Sequence, residues 1–252
     1  MFILCFAKEI VMEKILEVNN LTKLYKNGRG VEDISFDVYE GDIFGFLGPN
    51  GAGKTTTMKV ITGLCRADRG VVKIFGYDVF NSFEQAMRNV GCIIETAEAY
   101  EFMSAYKNLE MAARFYDIDK LRIDEVLRLV GLDGYKNEKV SDYSLGMKQR
   151  LGIASAILSN PRFVILDEPV NGLDVEGMVD IRNIIKDLAK NQGITFFVSS
   201  HLIHEMELMC NRIGIIEKGR LIKIGTVQEM LAEHESLEDY FIQKVKEQRR
   251  VI

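Results

Sequence analysis

An α/β fold organised on a parallel sheet is predicted by three short apolar runs, Ile43 to Leu47 (IFGFL), Phe163 to Leu166 (FVIL) and Ile194 to Val198 (ITFFV). They stop at Gly48, Asp167 and Ser199 in turn, and helix-compatible sequence follows each, the pattern of strands buried on both faces. In an open α/β sheet the ligand lies beyond the carboxyl ends of such strands, so all three runs should deliver their polar followers to one crevice.

Residues 1–12 begin with the apolar run Met1 to Ala7, too short and too poorly flanked for a signal peptide. They are expected to be a cytoplasmic leader, with Met12, ahead of EKILEVNN, as an alternative start. Alternating Ile15 to Val18 and Ile34 to Val38, on either side of the turn-rich Asn27 to Gly30, predict antiparallel strands at the head of a core covering 13–95 and 161–225. Between Thr96 and Asn160 the strand-like runs give way to helical periodicity, as in LRIDEVLRLV closed by Gly131, so 96–160 should be a helical insertion. Capping-box starts at Thr226 to Glu229 and Ser236 to Asp239 predict closing helices over 226–252.

Composition narrows the function classes. With 252 residues, 47% hydrophobic and 27% charged, the chain is neither disordered, collagenous nor a disulfide miniprotein. No run approaches the roughly 18 apolar residues of a membrane helix. Cys5, Cys65, Cys92 and Cys210 form no CxxC pair and no cluster with His201, His204 or His234, which argues against a zinc site. A net charge of −5, with basic residues scattered except at Lys244 to Arg250, argues against a nucleic-acid partner.

GPNGAGKT, Gly48 to Thr55, matches GxxxxGK[ST], a phosphate-binding loop, in the required place after a strand and before a helix. Its residues Gly48, Pro49, Asn50, Gly51, Ala52 and Gly53 let backbone N–H groups wrap phosphates, and Lys54 adds a point charge. Thr55 offers a hydroxyl to Mg²⁺ and Thr56 a further phosphate contact. FVILDEP, Phe163 to Pro169, ends a buried run in two carboxylates: Asp167 is placed to hold Mg²⁺, Glu168 to take a proton from attacking water.

With SLGMKQR at Ser144 to Arg150 added, the chain resembles the ATP-binding cassette subunit of ABC transporters over nearly its whole length. The resemblance implies a P-loop NTPase of RecA-like type: a parallel α/β sheet core, an N-terminal antiparallel β subdomain and an inserted α-helical subdomain. It further implies that Ser144, Leu145, Gly146 and Met147 cap the γ-phosphate of ATP held by a second cassette, so that a head-to-tail homodimer, or a heterodimer with a related cassette, completes two sites. By the same resemblance Tyr25 stacks on adenine, Asp174 in NGLD contacts the partner cassette, and His201 bonds the γ-phosphate and orients Glu168. Glu95 stands where the family usually has a glutamine that contacts Mg²⁺ and water, and it is expected to join Thr55 and Asp167 as a Mg²⁺ ligand, tightening that contact or slowing closure on the γ-phosphate.

Glu95 together with SLGMKQR resembles the bacitracin and lantibiotic-immunity branch of exporters. The expected activity is ATP hydrolysis with Mg²⁺, coupled to export of a peptide antibiotic or other amphipathic compound. Separate integral membrane permease subunits would hold the chain at the cytoplasmic face, with membrane contact only through them. A soluble ABC-type ATPase uncoupled from transport is the alternative.

Overall fold

A computed structural model describes residues 12–96, 98–232 and 234–251. Apart from Met12, the expected leader lies outside the described residues. The first alternating segments form β1 (Lys14–Leu24) and β2 (Gly30–Tyr39), both longer than their alternation suggested. They pair antiparallel with Leu16 opposite Val38 and Val18 opposite Phe36. The register places one apolar face inward, because side chains alternate along a strand.

The chain continues through β3 (Ile43–Leu47), α1 (Lys54–Ile61), β4 (Arg69–Ile74), β5 (Tyr77–Asp78), α2 (Phe83–Met87) and β6 (Val90–Ile93). Three helices, α3 (Ala105–Tyr116), α4 (Lys120–Leu129) and α5 (Leu145–Ile157), fill the predicted helical stretch. Gly131, φ 67°, follows α4, and Leu132 N–H closes back on the Leu127 carbonyl at 2.8 Å, the expected glycine-assisted stop. Then come β7 (Phe163–Asp167), α6 (Val175–Gln192), β8 (Thr195–Ser200), α7 (Ile203–Met209), β9 (Arg212–Glu217), β10 (Arg220–Thr226), α8 (Val227–Ala232) and α9 (Leu237–Val251). Thr226 and Glu229 exchange backbone–side-chain hydrogen bonds at 2.9 and 3.1 Å, the predicted capping box at α8.

Two sheets result, in strand order β2-β1-β4-β5 and β10-β9-β3-β8-β7-β6. The second is parallel from β9 to β6, with β10 antiparallel at its edge. The three predicted runs are therefore neighbours, β3 beside β8 beside β7, and their carboxyl ends lie together. Alternate residues of β7 and β8 face opposite ways: Val164, Leu166, Phe196 and Val198 join the apolar cluster shared by α3 to α9, while Phe163, Ile165 and Phe197 join the one shared by the antiparallel sheet, α1 and α2.

Phe36 of β2 is the hinge pin between the sheets. Its ring stacks on Phe44, Phe46 and Phe197 of the parallel sheet with centroids 5.4, 5.5 and 5.5 Å away. Stacked aromatics at this spacing add to the stabilisation from burial. Phe36→Ala should lower the unfolding free energy by about 3–5 kcal/mol in urea titration, and the better-filling Phe36→Leu by less.

Candidate functional site

The turn from β3 into α1 is shaped by glycine at both ends. A Cβ on Gly48 would lie 2.2 Å from the Ile216 carbonyl oxygen, and one on Gly53, φ +110°, would lie 2.4 Å from Val31 Cγ1. At Gly51, φ +78°, nothing lies within 4 Å, so the loop's crest is open. Helix α1 begins at Lys54 with no side-chain cap and no acidic residue in its first turn. Its first N–H groups have no intrahelical acceptor, which fits an anion at this end.

Lys54 is buried, and its ammonium donates to the carbonyls of Gly48 at 2.6 Å and Pro49 at 3.2 Å. It also lies 3.0 Å from Glu168 Oε1. The other oxygen of that carboxylate is 2.9 Å from His201 Nδ1. An ionised carboxylate only accepts, so His201 donates through Nδ1. Glu168, the residue after β7, takes a left-handed backbone, φ 50°, which swings its side chain back over the loop.

Asp167 is buried at the end of β7, and its Oδ1 accepts a 2.6 Å hydrogen bond from Ser199 Oγ. Ser199 Oγ in turn accepts from the Glu168 N–H at 3.0 Å. One hydroxyl on β8 therefore fixes both acids. Sequence reasoning took Ser199 as a strand end only; its role depends on lying opposite Asp167 across the β7–β8 pairing.

A cavity of about 310 Å³ collects Tyr25, Asn50, Gly51, Gly53, Lys54, Thr55, Thr56 and Glu168. Arg29, Gly30 and Asn171 also line it; the turn Asn27 to Gly30 was legible as a turn, but not as a wall of this cavity. Tyr25 is 40% exposed, with its hydroxyl 3.9 Å from Cys65 Sγ. Ala52 is buried, away from the cavity.

Ser144, Leu145, Gly146 and Asp174 line a separate cavity of about 400 Å³, with Gly172 and Leu173. Two of them also cap helices. Ser144 Oγ accepts the Met147 N–H at 3.2 Å to start α5, and Asp174 Oδ1 accepts the Gly177 N–H at 2.9 Å to start α6. Met147 does not line the cavity, because its side chain packs against the apolar cluster shared by α3 to α9. Glu95 lines neither cavity: its carboxylate is engaged by Lys59 of α1 at 2.5 Å.

A sequence model of the family described as ABC transporter matches residues 31–171. The chain belongs to the ABC transporter family. It is a transport ATPase of the ATP-binding type, with an α/β fold shared by solved members. One of them, described as the structure of the ATP-binding subunit of an ABC transporter, has a TM-score of 0.79 at 29% identity, over 92% of this chain and 99% of that one. The bacitracin transport ATP-binding protein BcrA of Bacillus licheniformis is 43% identical over 213 residues, 84% of this chain and 70% of that protein. The lantibiotic transport ATP-binding protein SrtF of Streptococcus pyogenes is 35% identical over 239 residues, 94% of this chain and all of that protein. Among the described residues, no helix of this ABC subunit is long and apolar enough to cross a membrane.

Removing the Ser199 hydroxyl leaves buried Asp167 short of a donor and releases the Glu168 N–H. Ser199→Ala should lower stability by about 1–3 kcal/mol in urea titration, although the side chain shrinks by a single atom.

Proposed function

We propose that two copies of the chain, or this chain and a related cassette, bind ATP and Mg²⁺ at a head-to-tail interface, close, hydrolyse, reopen, and so drive export through separate membrane permease subunits. The observation that carries this reading is the separation of two cavities on one chain. The cavity with Lys54 and Glu168 contains none of Ser144, Leu145 or Gly146, which line the other. A two-fold axis that sets the first cavity of one copy against the second of its partner completes both together. ATP then favours the closed pair, since its γ-phosphate meets both chains.

Each residue has a role in this reading. The open crest at Gly51 and the uncapped start of α1 receive the phosphates, with Thr56 adding a contact, and Tyr25 stacks on adenine. Lys54 leaves Glu168 for the β and γ phosphates. Mg²⁺, when bound, neutralises charge that develops on those phosphates. Thr55 and Asp167 would hold it. Among the described residues, no group of three or more His, Cys, Asp or Glu is arranged to hold a metal ion by itself. Glu168 accepts the proton of the attacking water, and His201 orients it through the Nδ1 bond. Asp174 meets the partner cassette.

The relatives named for bacitracin and lantibiotic transport favour a peptide antibiotic or similar amphipathic compound as cargo. A groove of about 670 Å³ between β6 and helices α3 and α5, with Phe83, Met87, Cys92, Met111, Phe115 and Tyr116 along it, suits an apolar segment of the permease. The chain would thereby sit at the cytoplasmic face, touching the membrane only through that partner.

Glu168→Gln should retain ATP binding, lose about 10²–10⁴ in turnover and run as a dimer in ATP during sedimentation. Near-normal hydrolysis would remove Glu168 from its role. Ser144→Asp keeps the α5 cap but sets an anion against the partner's γ-phosphate. It should abolish ATP-dependent dimerisation while binding of a fluorescent nucleotide to the monomer survives; parallel loss of both would argue against a shared site.

A further inference from the structure

Lys59 stands in the last turn of α1, the helix that opens at the phosphate loop, and its ammonium lies 2.5 Å from Glu95 Oε1. Glu95 follows the edge strand β6 and holds a left-handed backbone, φ 69°, which side chains of its kind rarely adopt. Thr96 N–H donates to the Ile94 carbonyl at 3.1 Å and closes the turn. The ion pair therefore ties the nucleotide helix to the segment that leads from the sheet into the helical insertion. The hydrogen bond to Glu95 raises the pKa of the Lys59 ammonium above its ordinary value, and the charges of Glu95 and Asp167 act in the same direction.

Charge balance gives this pair a consequence. Glu168 at the mouth of the phosphate cavity is already matched by Lys54 at 3.0 Å. Glu95 is a further carboxylate near the same helix, and Lys59 is the cation that meets it. Without Lys59, Glu95, which lines neither cavity, leaves an unmatched negative charge beside α1 that acts on an incoming polyanion through longer-range repulsion. At partial exposure the penalty is modest but falls on nucleotide binding first.

We propose that Lys59 is a positioning residue of the ATP site, which acts through Glu95: it cancels that carboxylate's charge toward the nucleotide and fastens the strand-to-insertion segment to α1. This inference rests on the ATPase reading, and wild-type hydrolysis tests that reading separately. If the unaltered chain hydrolyses no ATP, the reading itself fails; the variants are compared with an active wild type.

Steady-state ATPase measurements on the full chain, with saturating Mg²⁺, provide the test. Lys59→Met should raise KM for ATP roughly three- to tenfold with a smaller change in kcat. That ratio should narrow at high salt, since exposed charges are screened. Lys59→Arg should stay near wild type, and adding Glu95→Gln to Lys59→Met should recover most of the KM. A purely structural lysine would lose kcat and KM together and gain nothing from Glu95→Gln. An unchanged KM in Lys59→Met, or a raised KM that Glu95→Gln does not relieve, overturns the proposal. Should Lys59→Met fail to fold, the exchanged pair Lys59→Glu with Glu95→Lys decides: a KM near wild type supports it, a KM as poor as that of Lys59→Glu alone overturns it.

Discussion

The buried ammonium of Lys54 sets the terms for everything around it. A cation only 5% exposed would cost several kcal/mol if left alone, so it must be surrounded by oxygen. Two of those oxygens are carbonyls of its own loop, Gly48 and Pro49, which obliges the chain to curl back over the first turn of α1. The third belongs to Glu168, which obliges β7 to end in a left-handed residue whose carboxylate returns toward β3. Once Glu168 is held there, His201 at the end of β8 can reach its other oxygen, and Ser199 can bind both Asp167 and the Glu168 backbone. The loop, the two acids and the histidine are thus a single charge-satisfying assembly drawn from three parallel strands.

What could be read from the sequence was what is encoded locally. IFGFL, FVIL and ITFFV announce buried strands because every residue in them must be apolar, and GPNGAGKT announces its loop because no other residue tolerates those close approaches. Strand β6 was harder. It is four residues long and contains Gly91, where a Cβ would lie 2.0 Å from the Ala156 carbonyl of α5, so its composition reflects a helix packed against it and not strand propensity. Strand β9 carries Gly214 beneath the rings of Phe44 and Phe46 for a similar reason. Ser199 and the Lys59–Glu95 pair were invisible for another cause: each depends on which residue lies opposite in space, across 32 and 36 positions of chain.

On the proposed reading, the same satisfied cluster explains why the site would not act on water prematurely. Glu168 shares one oxygen with Lys54 and the other with His201, so both oxygens are already occupied by internal partners. Phosphate oxygens are better matched to the loop's N–H groups and to an ammonium than a single carboxylate is. Nucleotide that draws Lys54 away therefore frees one oxygen of Glu168 in the same event. Binding and activation of the base become one step, without any rearrangement of the sheet that carries them.

The second cavity follows a different chemical logic, decided by two helix caps. Both Ser144 and Asp174 accept a backbone N–H from their own helix, α5 and α6. A serine hydroxyl that accepts one hydrogen bond still has its proton to donate, so Ser144 can cap α5 and address an anion together. An ionised aspartate has only acceptors. Placed against a triphosphate it would repel, so Asp174 is suited to donors on a facing protein surface and not to the nucleotide. On the proposed reading, neighbours in one cavity divide its two tasks, Ser144 toward the nucleotide and Asp174 toward the partner cassette, each already held by its own helix.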